Sequence, residues 1–192
     1  DTIEKCLRSI ARQTIKPLEV LVVDNLSTDK TASVVRSFKR AHADVMNIRL
    51  LKQSVSQGIT PTRDYGMARA KGEVIGRIDA DSALEANWVD AVQVAFSDPE
   101  VAAASGPVVY HDMPAPNVSF RADHQIRSTL DKLAKSYRFL FGSNMAVRAN
   151  VWRKILPELC ADKEDRLHED IDIALHLFQD GYRVVYVPDM AG

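Results

Sequence analysis

Two aspartates separated by one small residue, Asp79 and Asp81, stand directly after the short apolar run 73–78. The run predicts a strand, and in an open parallel sheet ligands bind in the crevice beyond the carboxyl ends of the strands. Carboxylates there suit Mg²⁺ or Mn²⁺, which takes one or two of them and fills its other positions with water and substrate phosphates. A structural interpretation is also open, because residues 82–85 have the pattern of a capping box and Asp81 would then only begin a helix.

A second acidic group, Glu169 and Asp170, follows His168 and precedes an amphipathic helical pattern that begins at Ile171. Acidic side chains at a helix start are stabilised by the helix dipole, so both residues have a structural explanation. The chemical explanation is a general base, which needs a carboxylate within hydrogen-bond reach of a nucleophilic hydroxyl. The two explanations are compatible, and the sequence leaves both open.

Asp24 and Arg63 are candidates for contact with a nucleotide. Asp24 ends the apolar run 19–23, which is typical of a strand buried in a parallel sheet. A carboxylate there can accept from a ribose hydroxyl or a base N–H, although a turn or cap is the structural alternative. Arg63 lies in the first turn of a helix that opens at Pro61. A cation is poorly placed there for the helix dipole, so contact with phosphates is a reason for its presence.

The composition is that of a soluble globular protein, with 192 residues, 46% hydrophobic, 27% charged, and a net charge of −1. That charge, without basic runs, argues against a nucleic-acid partner. Cys6 and Cys160 form neither a disulfide framework nor a zinc spacing, which favours a reducing compartment and a cytoplasmic location. No apolar run approaches the roughly 20 residues of a membrane span. The start without Met indicates a piece of a longer protein, so membrane association at the inner face would depend on other parts.

Strand and helix patterns alternate along the first half of the chain, which predicts one α/β domain with a parallel sheet. The predicted strands cover residues 19–23, 48–51, 73–78, 101–106, 139–147 and 184–188. The predicted helices cover residues 2–14, 30–42, 61–71, 85–96, 121–135, 150–156 and 171–180. The proline-containing stretch 107–136 breaks the alternation. Long excursions from a rigid scaffold often carry specificity, so we expect this stretch to select the acceptor, the substrate that receives a transferred group.

Five short motifs in order give the chain a family resemblance. They are Glu19–Asp24 with Ser27–Asp29, Gly58 with Arg63–Gly66, Gly72–Asp81, Gly142–Asn144, and Glu169–Asp172. Together they resemble the family 2 glycosyltransferases of GT-A fold, over residues 3–188. The resemblance implies a Rossmann-like, mostly parallel sheet with helices on both faces. It also implies transfer of a sugar from a nucleoside diphosphate donor, with inversion and a divalent metal, Mg²⁺ or Mn²⁺, on the diphosphate.

By position, the resemblance implies roles for individual residues. On the donor side it implies Asp24 for the nucleobase or ribose, Arg63 for the donor, Asp79 for the ribose and Asp81 for the metal. It implies Asp170 as the catalytic base with Glu169 beside it, and Gly142, Ser143, Asn144 and His168 on the acceptor side. Residues 1–106 would form the nucleotide-sugar half of a single domain, and residues 107–192 the half that binds a carbohydrate or lipid-linked acceptor.

The sequence departs from the family pattern in three places. Members usually open with a strand and a proline–aromatic–asparagine turn, many continue past the last strand, and Asp64 stands where asparagine is common. Two other functions therefore stay open. A nucleotidyltransferase would be expected to open with a glycine-rich, basic phosphate loop, and a binding module would keep the fold without turnover. A glycoside hydrolase also uses paired carboxylates, but it has no use for nucleotide-side residues such as Asp24 and Arg63.

Overall fold

A computed structural model describes residues 2–108, 116–133, 139–160 and 169–192. The helices are α1 Thr2–Ala11, α2 Thr31–Ala41, α3 Ile59–Met67, α4 Trp88–Phe96, α5 Pro116–Leu133, α6 Ala149–Ile155 and α7 Glu169–Gln179, with a 3-10 turn at Leu156–Glu158. The strands are β1 Val20–Asp24, β2 Ile48–Lys52, β3 Val74–Ile78, β4 Val101–Ser105, β5 Asn144–Arg148 and β6 Arg183–Tyr186. No described helix has the length and apolar character needed to cross a bilayer.

The strands form two sheets. β1 pairs with β2 in parallel, and the second sheet has the order β3-β5-β4-β6, with β4 and β6 parallel. β5 runs antiparallel to both of its neighbours. The predicted α/β class is confirmed, but the prediction of a mostly parallel sheet is wrong for this strand, since the described pairings divide evenly between the two types.

The direction of β5 follows from the turn that precedes it. The Phe141 N–H donates to Ser105 Oγ at 2.8 Å, which holds this turn at the carboxyl end of β4. The Asn144 N–H donates to the Phe141 carbonyl at 3.0 Å, so β5 begins only at Asn144 rather than at residue 139 as predicted. A strand that starts where β4 ends must run back along it. Consequently the Gly142–Asn144 segment and the end of β3 lie at the same edge, with Ile78 opposite Asn144.

Helices cover both faces of the four-stranded sheet, as predicted. One cluster of buried side chains joins α1, α2 and α4 to residues such as Ala104 and Ala146, and the other joins α6 and α7 to Ala103 and Val147. Neighbouring residues on one strand enter opposite clusters because side chains alternate across a sheet.

A cavity of about 920 Å³ lies between β1 and β3, and α1, α3 and α4 also line it. It runs from Leu18 and Glu73 at the amino ends of the two strands to Asn25 and Asp79 at their carboxyl ends. The described residues show no pairing between β1 and β3. All five residues of β1 are therefore only half-buried, whereas the apolar run predicted a strand buried on both faces.

Candidate active site

Asp79 and Asp81 lie in a turn that leaves the carboxyl end of β3. The Ser82 N–H donates to the Asp79 carbonyl at 3.1 Å and closes the turn. Helix α4 begins only at Trp88, after Asn87. The capping-box interpretation is therefore wrong, because residues 83–87, which include a turn closed by the bond from the Trp88 N–H to the Glu85 carbonyl, separate Asp81 and Ser82 from the helix start. Asp81 is exposed and the Asp79 side chain is 46% exposed, so both side chains reach solvent.

The negative charge of this turn reaches the first helix. Burial raises the pKa of the Cys6 thiol to about 12, and the charges of Asp81 and Asp79 add to the effect. The thiol lies 3.9 Å from the Asp79 carbonyl oxygen. Cys6 is thus a protonated, buried neighbour of the acidic turn.

Asp79 and Asp81 suit a metal ion that receives most of its ligands from substrate and water. Among the described residues no cluster of three or more His, Cys, Asp or Glu side chains could hold a metal by itself. One or two exposed carboxylates are the usual protein contribution to Mg²⁺ bound with phosphates. The residues present therefore fit the expected cation only together with a diphosphate.

Asp170 lies in the first turn of α7, and two backbone N–H groups hold its carboxylate. Gly142 N–H donates to Oδ2 at 3.0 Å, and Ile171 N–H donates to Oδ1 at 2.9 Å. A carboxylate has about four acceptor positions, so each oxygen keeps capacity for the proton of a hydroxyl. The side chain of Glu169 and the whole of His168 lie outside the described residues.

Arg77 is a site residue that the sequence analysis missed. Its Nη2 pairs with Asp79 Oδ1 at 3.4 Å. A Cβ on Gly142 would lie 2.1 Å from Arg77 Nη1 and 3.3 Å from the Cβ of Asp170. Arg77 therefore lies between the acidic turn after β3 and the turn that holds Asp170. An arginine in an apolar strand, two positions before an aspartate, was the pattern that could have identified it.

Asp24 is held at the end of β1, where the Ser27 N–H donates to its Oδ1 at 3.1 Å. The turn interpretation of Asp24 is thus part of its geometry, and the other oxygen is left for a ligand. Leu26 has a φ of 61°, which a residue with a Cβ seldom adopts. The next residue after Asp24, Asn25, accepts from the Gly58 N–H at 2.9 Å and so joins this turn to the start of α3.

Arg63 is turned into the interior. Its side chain is 2% exposed and its Nη2 pairs with Asp64 Oδ1 at 2.7 Å, while its guanidinium lies 5.2 Å from the centre of the Trp152 ring. Among the described residues Nη1 of Arg63 has no hydrogen-bond partner. Arg63 borders the cavity between β1 and β3, but the structure does not bring it to the turn of Asp79 and Asp81.

Asn144 is a structural link, because its amide makes three hydrogen bonds within the fold. The Trp88 indole N–H donates to Asn144 Oδ1 at 2.8 Å. The amide nitrogen donates to the carbonyls of Pro107 at 2.8 Å and Met190 at 2.6 Å. The side chain is 1% exposed, so a direct acceptor contact would have to replace these bonds. Of the predicted acceptor residues, this geometry leaves Gly142 and the half-buried Ser143 at the site edge.

The fold resembles that of solved glycosyltransferases. The mannosyltransferase PcManGT from Pyrobaculum calidifontis, solved in complex with GDP-Man and Mn²⁺, is 25% identical and superposes with a TM-score of 0.75 over 99% of this chain. The likeness confirms the GT-A fold. This chain covers 52% of that protein.

Sequence relatives indicate the same class of protein. Glycosyltransferase AglE of Haloferax volcanii is 32% identical over 92 residues, which are 47% of this chain and 29% of AglE. The GalNAc(5)-diNAcBac-PP-undecaprenol beta-1,3-glucosyltransferase of Campylobacter jejuni is 33% identical over 82 residues, 43% of this chain and 26% of that enzyme. This chain therefore matches less than a third of the length of these two relatives.

The family model described as Glycosyl transferase family 2 matches residues 1–156. This match includes the turns of Asp24, Asp79 and Gly142 but ends before α7. Because it covers most of the 192 residues, the chain belongs to glycosyl transferase family 2.

Proposed function

We propose that this chain is the GT-A domain of an inverting glycosyltransferase, which moves a sugar from a nucleoside diphosphate sugar to an acceptor hydroxyl. The observation that supports it is the meeting of two acidic groups at one sheet edge. Arg77, paired with Asp79, and Asp170 both contact the turn at Gly142. A single displacement requires a base for the acceptor hydroxyl and an electrophilic clamp for the departing diphosphate. Asp170 is proposed for the first role, and a cation at the turn of Asp79 and Asp81 for the second.

Asp170 is the proposed base. The acceptor oxygen attacks the anomeric carbon of the donor, the bond from that carbon to the phosphate oxygen breaks, and the nucleoside diphosphate leaves with the electron pair. Asp170 receives the proton of the acceptor hydroxyl. Its hydrogen bonds from Gly142 and Ile171 fix the orientation of the carboxylate, so little reorganisation is needed at the moment of reaction. Glu169 is the adjacent alternative for the same role.

Residues of the first half are assigned to the donor. Asp24 is proposed to bind the nucleobase or ribose, Asp79 the ribose, and Asp81 the cation, with Arg63 on the donor side of the cavity. Mg²⁺ or Mn²⁺ would supply charge neutralisation to the departing diphosphate. The Mn²⁺ and GDP-Man bound to the similar mannosyltransferase support this assignment.

Residues 107–192 are assigned to the acceptor, including Gly142, Ser143 and His168. The acceptor is proposed to be a carbohydrate or a lipid-linked sugar, and the name of the Campylobacter jejuni relative supports the lipid-linked class. With such an acceptor the enzyme would work at the cytoplasmic face of a membrane.

A donor panel tests the proposal. The purified protein is incubated with UDP-, GDP- and TDP-sugars, Mn²⁺ and candidate acceptors, and release of nucleoside diphosphate is measured together with the glycosylated product. We expect release to depend on both acceptor and metal. Nucleotide binding without any turnover would favour the binding module. Pyrophosphate release from a nucleoside triphosphate and a sugar phosphate would favour the nucleotidyltransferase.

A further inference from the structure

Strand geometry directs Arg77 toward the start of α7. Ile75, two positions earlier on β3, lies in the buried cluster that also contains Ile173 of α7. Residues two apart on a strand face the same side of the sheet, so Arg77 continues this face toward the first turn of α7. The Arg77 side chain is only 14% exposed. A charged group with so little access to water needs partners within the protein.

One partner is the donor-side carboxylate. Arg77 Nη2 lies 3.4 Å from Asp79 Oδ1, which is within the range of an ion pair. Asp79 follows β3 directly, so the pair stiffens the turn that carries Asp81. Arginine suits this place because its planar guanidinium presents several N–H donors in a fixed arrangement, whereas lysine has a single compact charge.

The other contact is the turn that holds the base. A Cβ on Gly142 would lie 2.1 Å from Arg77 Nη1, so the bare glycine is what lets the guanidinium approach this turn. The Gly142 N–H is also a donor to the carboxylate of Asp170, at 3.0 Å. The turn that orients Asp170 therefore packs against the Arg77 guanidinium.

We infer that Arg77 is a positioning residue for sugar transfer, which couples the donor-side turn of Asp79 to Asp170 through Gly142. The inference rests on the proposed function. Arg77 carries no proton in the reaction. Its positive charge pairs with Asp79 and would offset part of the repulsion between that carboxylate and a donor diphosphate.

Three variants of the purified enzyme test this role. In Arg77→Ala we expect kcat to fall about 10- to 100-fold, the scale of a misplaced catalytic group, while the Kd for nucleoside diphosphate changes less than about threefold. Arg77→Lys keeps the charge without the planar fork, so we expect an intermediate kcat. Gly142→Ala displaces the guanidinium and is expected to lower kcat by about tenfold or more.

The double variant distinguishes positioning from a general loss of structure. When the guanidinium is absent, a Cβ at position 142 meets only the Cβ of Asp170 at 3.3 Å, a contact that a shift of a few tenths of an ångström relieves. We therefore expect Gly142→Ala to lower kcat much less in the Arg77→Ala background than in the native background, a non-additive result. Full additivity of the two losses would overturn the coupling through Gly142.

The matched control is Arg183→Ala. Arg183 is 56% exposed and pairs with Asp98, which precedes β4 at the opposite edge of the sheet, so its kcat is expected to equal that of the native enzyme. A native kcat in Arg77→Ala, measured beside an inactive Asp170→Asn, would overturn the inference alone. If Arg77→Ala does not fold, a native kcat in both Arg77→Lys and Gly142→Ala overturns it. Absence of transfer in the native enzyme with every donor would instead overturn the proposed function.

Discussion

The backbone N–H of Gly142 donates to the carboxylate of Asp170 at 3.0 Å and so joins the turn before β5 to the first turn of α7. The two residues are 28 positions apart, and the bond exists because β5 starts at the same edge at which β3 and β4 end. This bond brings the second acidic group of the chain to the sheet edge that carries Asp79.

The role of Asp170 as base predicts a specific kinetic defect. Asp170→Asn should lower the transfer rate by roughly 10²- to 10⁴-fold, as expected for a lost general base. The affinity for the nucleotide should stay nearly unchanged, because the proposed role of Asp170 is toward the acceptor. The amide keeps the shape of the side chain but accepts with one oxygen only, so one of the bonds from Gly142 and Ile171 is lost. The free energy of unfolding should therefore fall by about 1 kcal/mol. Single-turnover kinetics and calorimetric binding measure the two quantities.

Glu169→Gln is the control for this assignment. Neighbouring residues at a helix start point about 100° apart, so only one of the two carboxylates is expected to face the acceptor. Normal transfer in Asp170→Asn together with a loss in Glu169→Gln would move the base to Glu169. Normal transfer in both variants would refute a base at this helix start.

A cation and a nucleotide should bind together. Asp79 and Asp81 supply too few ligands for a tight site, since no larger cluster of metal-binding side chains occurs in the described chain. Mn²⁺ should therefore raise the Tm much more when UDP or GDP is present than when it is absent. Differential scanning fluorimetry with the native protein and Asp81→Ala measures this difference. An equal rise with and without nucleotide, or an unchanged rise in Asp81→Ala, would argue against Asp81 as a ligand.

Alanine substitutions at Arg63 and Asp24 should differ in how much they lower the free energy of unfolding. Arg63→Ala removes a guanidinium that is 2% exposed and leaves Asp64 without its ion pair, so we expect a loss of about 1–3 kcal/mol in the free energy of unfolding. Asp24→Ala removes one exposed hydrogen bond in the turn after β1, and there the main loss should be nucleotide affinity. Urea unfolding and nucleotide titration of both variants test the contrast. Native stability in Arg63→Ala would contradict the packing role.

The acidic turn after β3 could be predicted from the sequence because its information is local. The apolar run predicts the strand, and Asp79 and Asp81 directly after it predict two carboxylates at the carboxyl end of that strand. The capping-box pattern at residues 82–85 was misleading, since the Ser82 N–H bonds to Asp79 and the helix starts later. At Ser82 the local hydrogen bond of a turn forms in place of the first turn of a helix.

The direction of β5 and the orientation of Arg63 could not be predicted in the same way. Hydrophobic periodicity tells which residues face a core but not which way a strand runs, and the bond from Phe141 to Ser105 decides that for β5. Arg63 is buried because Asp64 and the Trp152 ring accommodate its charge. Trp152 is far from Arg63 in the sequence, and the ion pair with Asp64 depends on the side-chain rotamers. A sequence pattern therefore predicts neither contact.

The two thiols should react at very different rates. Cys6 is buried, and burial raises its pKa to about 12, so the reactive thiolate is scarce at neutral pH. Cys160 is exposed. Ellman's reagent should therefore modify one thiol in the folded protein and both in urea, and in Cys160→Ser the folded protein should react only slowly. Rapid modification of folded Cys160→Ser would show that Cys6 is accessible.

The indole of Trp88 packs directly over Gly76 of β3. A Cβ at position 76 would lie 2.5 Å from the Cη2 atom of the ring, and the same indole is tied to Asn144 by its N–H. The ring cannot shift without weakening that bond. Gly76→Ala should therefore cost about 1–3 kcal/mol in the free energy of unfolding.

The partner change identifies the cause of that cost. Trp88→Phe alone should lower the free energy of unfolding by about 1–3 kcal/mol, because Asn144 loses a hydrogen-bond donor. Phenylalanine lacks the ring atoms that meet the new methyl group. Gly76→Ala should therefore cost clearly less in a Trp88→Phe background than in the native background. Gly181→Ala is the control. Gly181 has a φ of 75° and open space around it, so alanine there costs about 1 kcal/mol from backbone strain and adds independently to Trp88→Phe. Urea unfolding of the single and double variants measures both couplings, and equal costs of Gly76→Ala in the two backgrounds would refute the contact with Trp88.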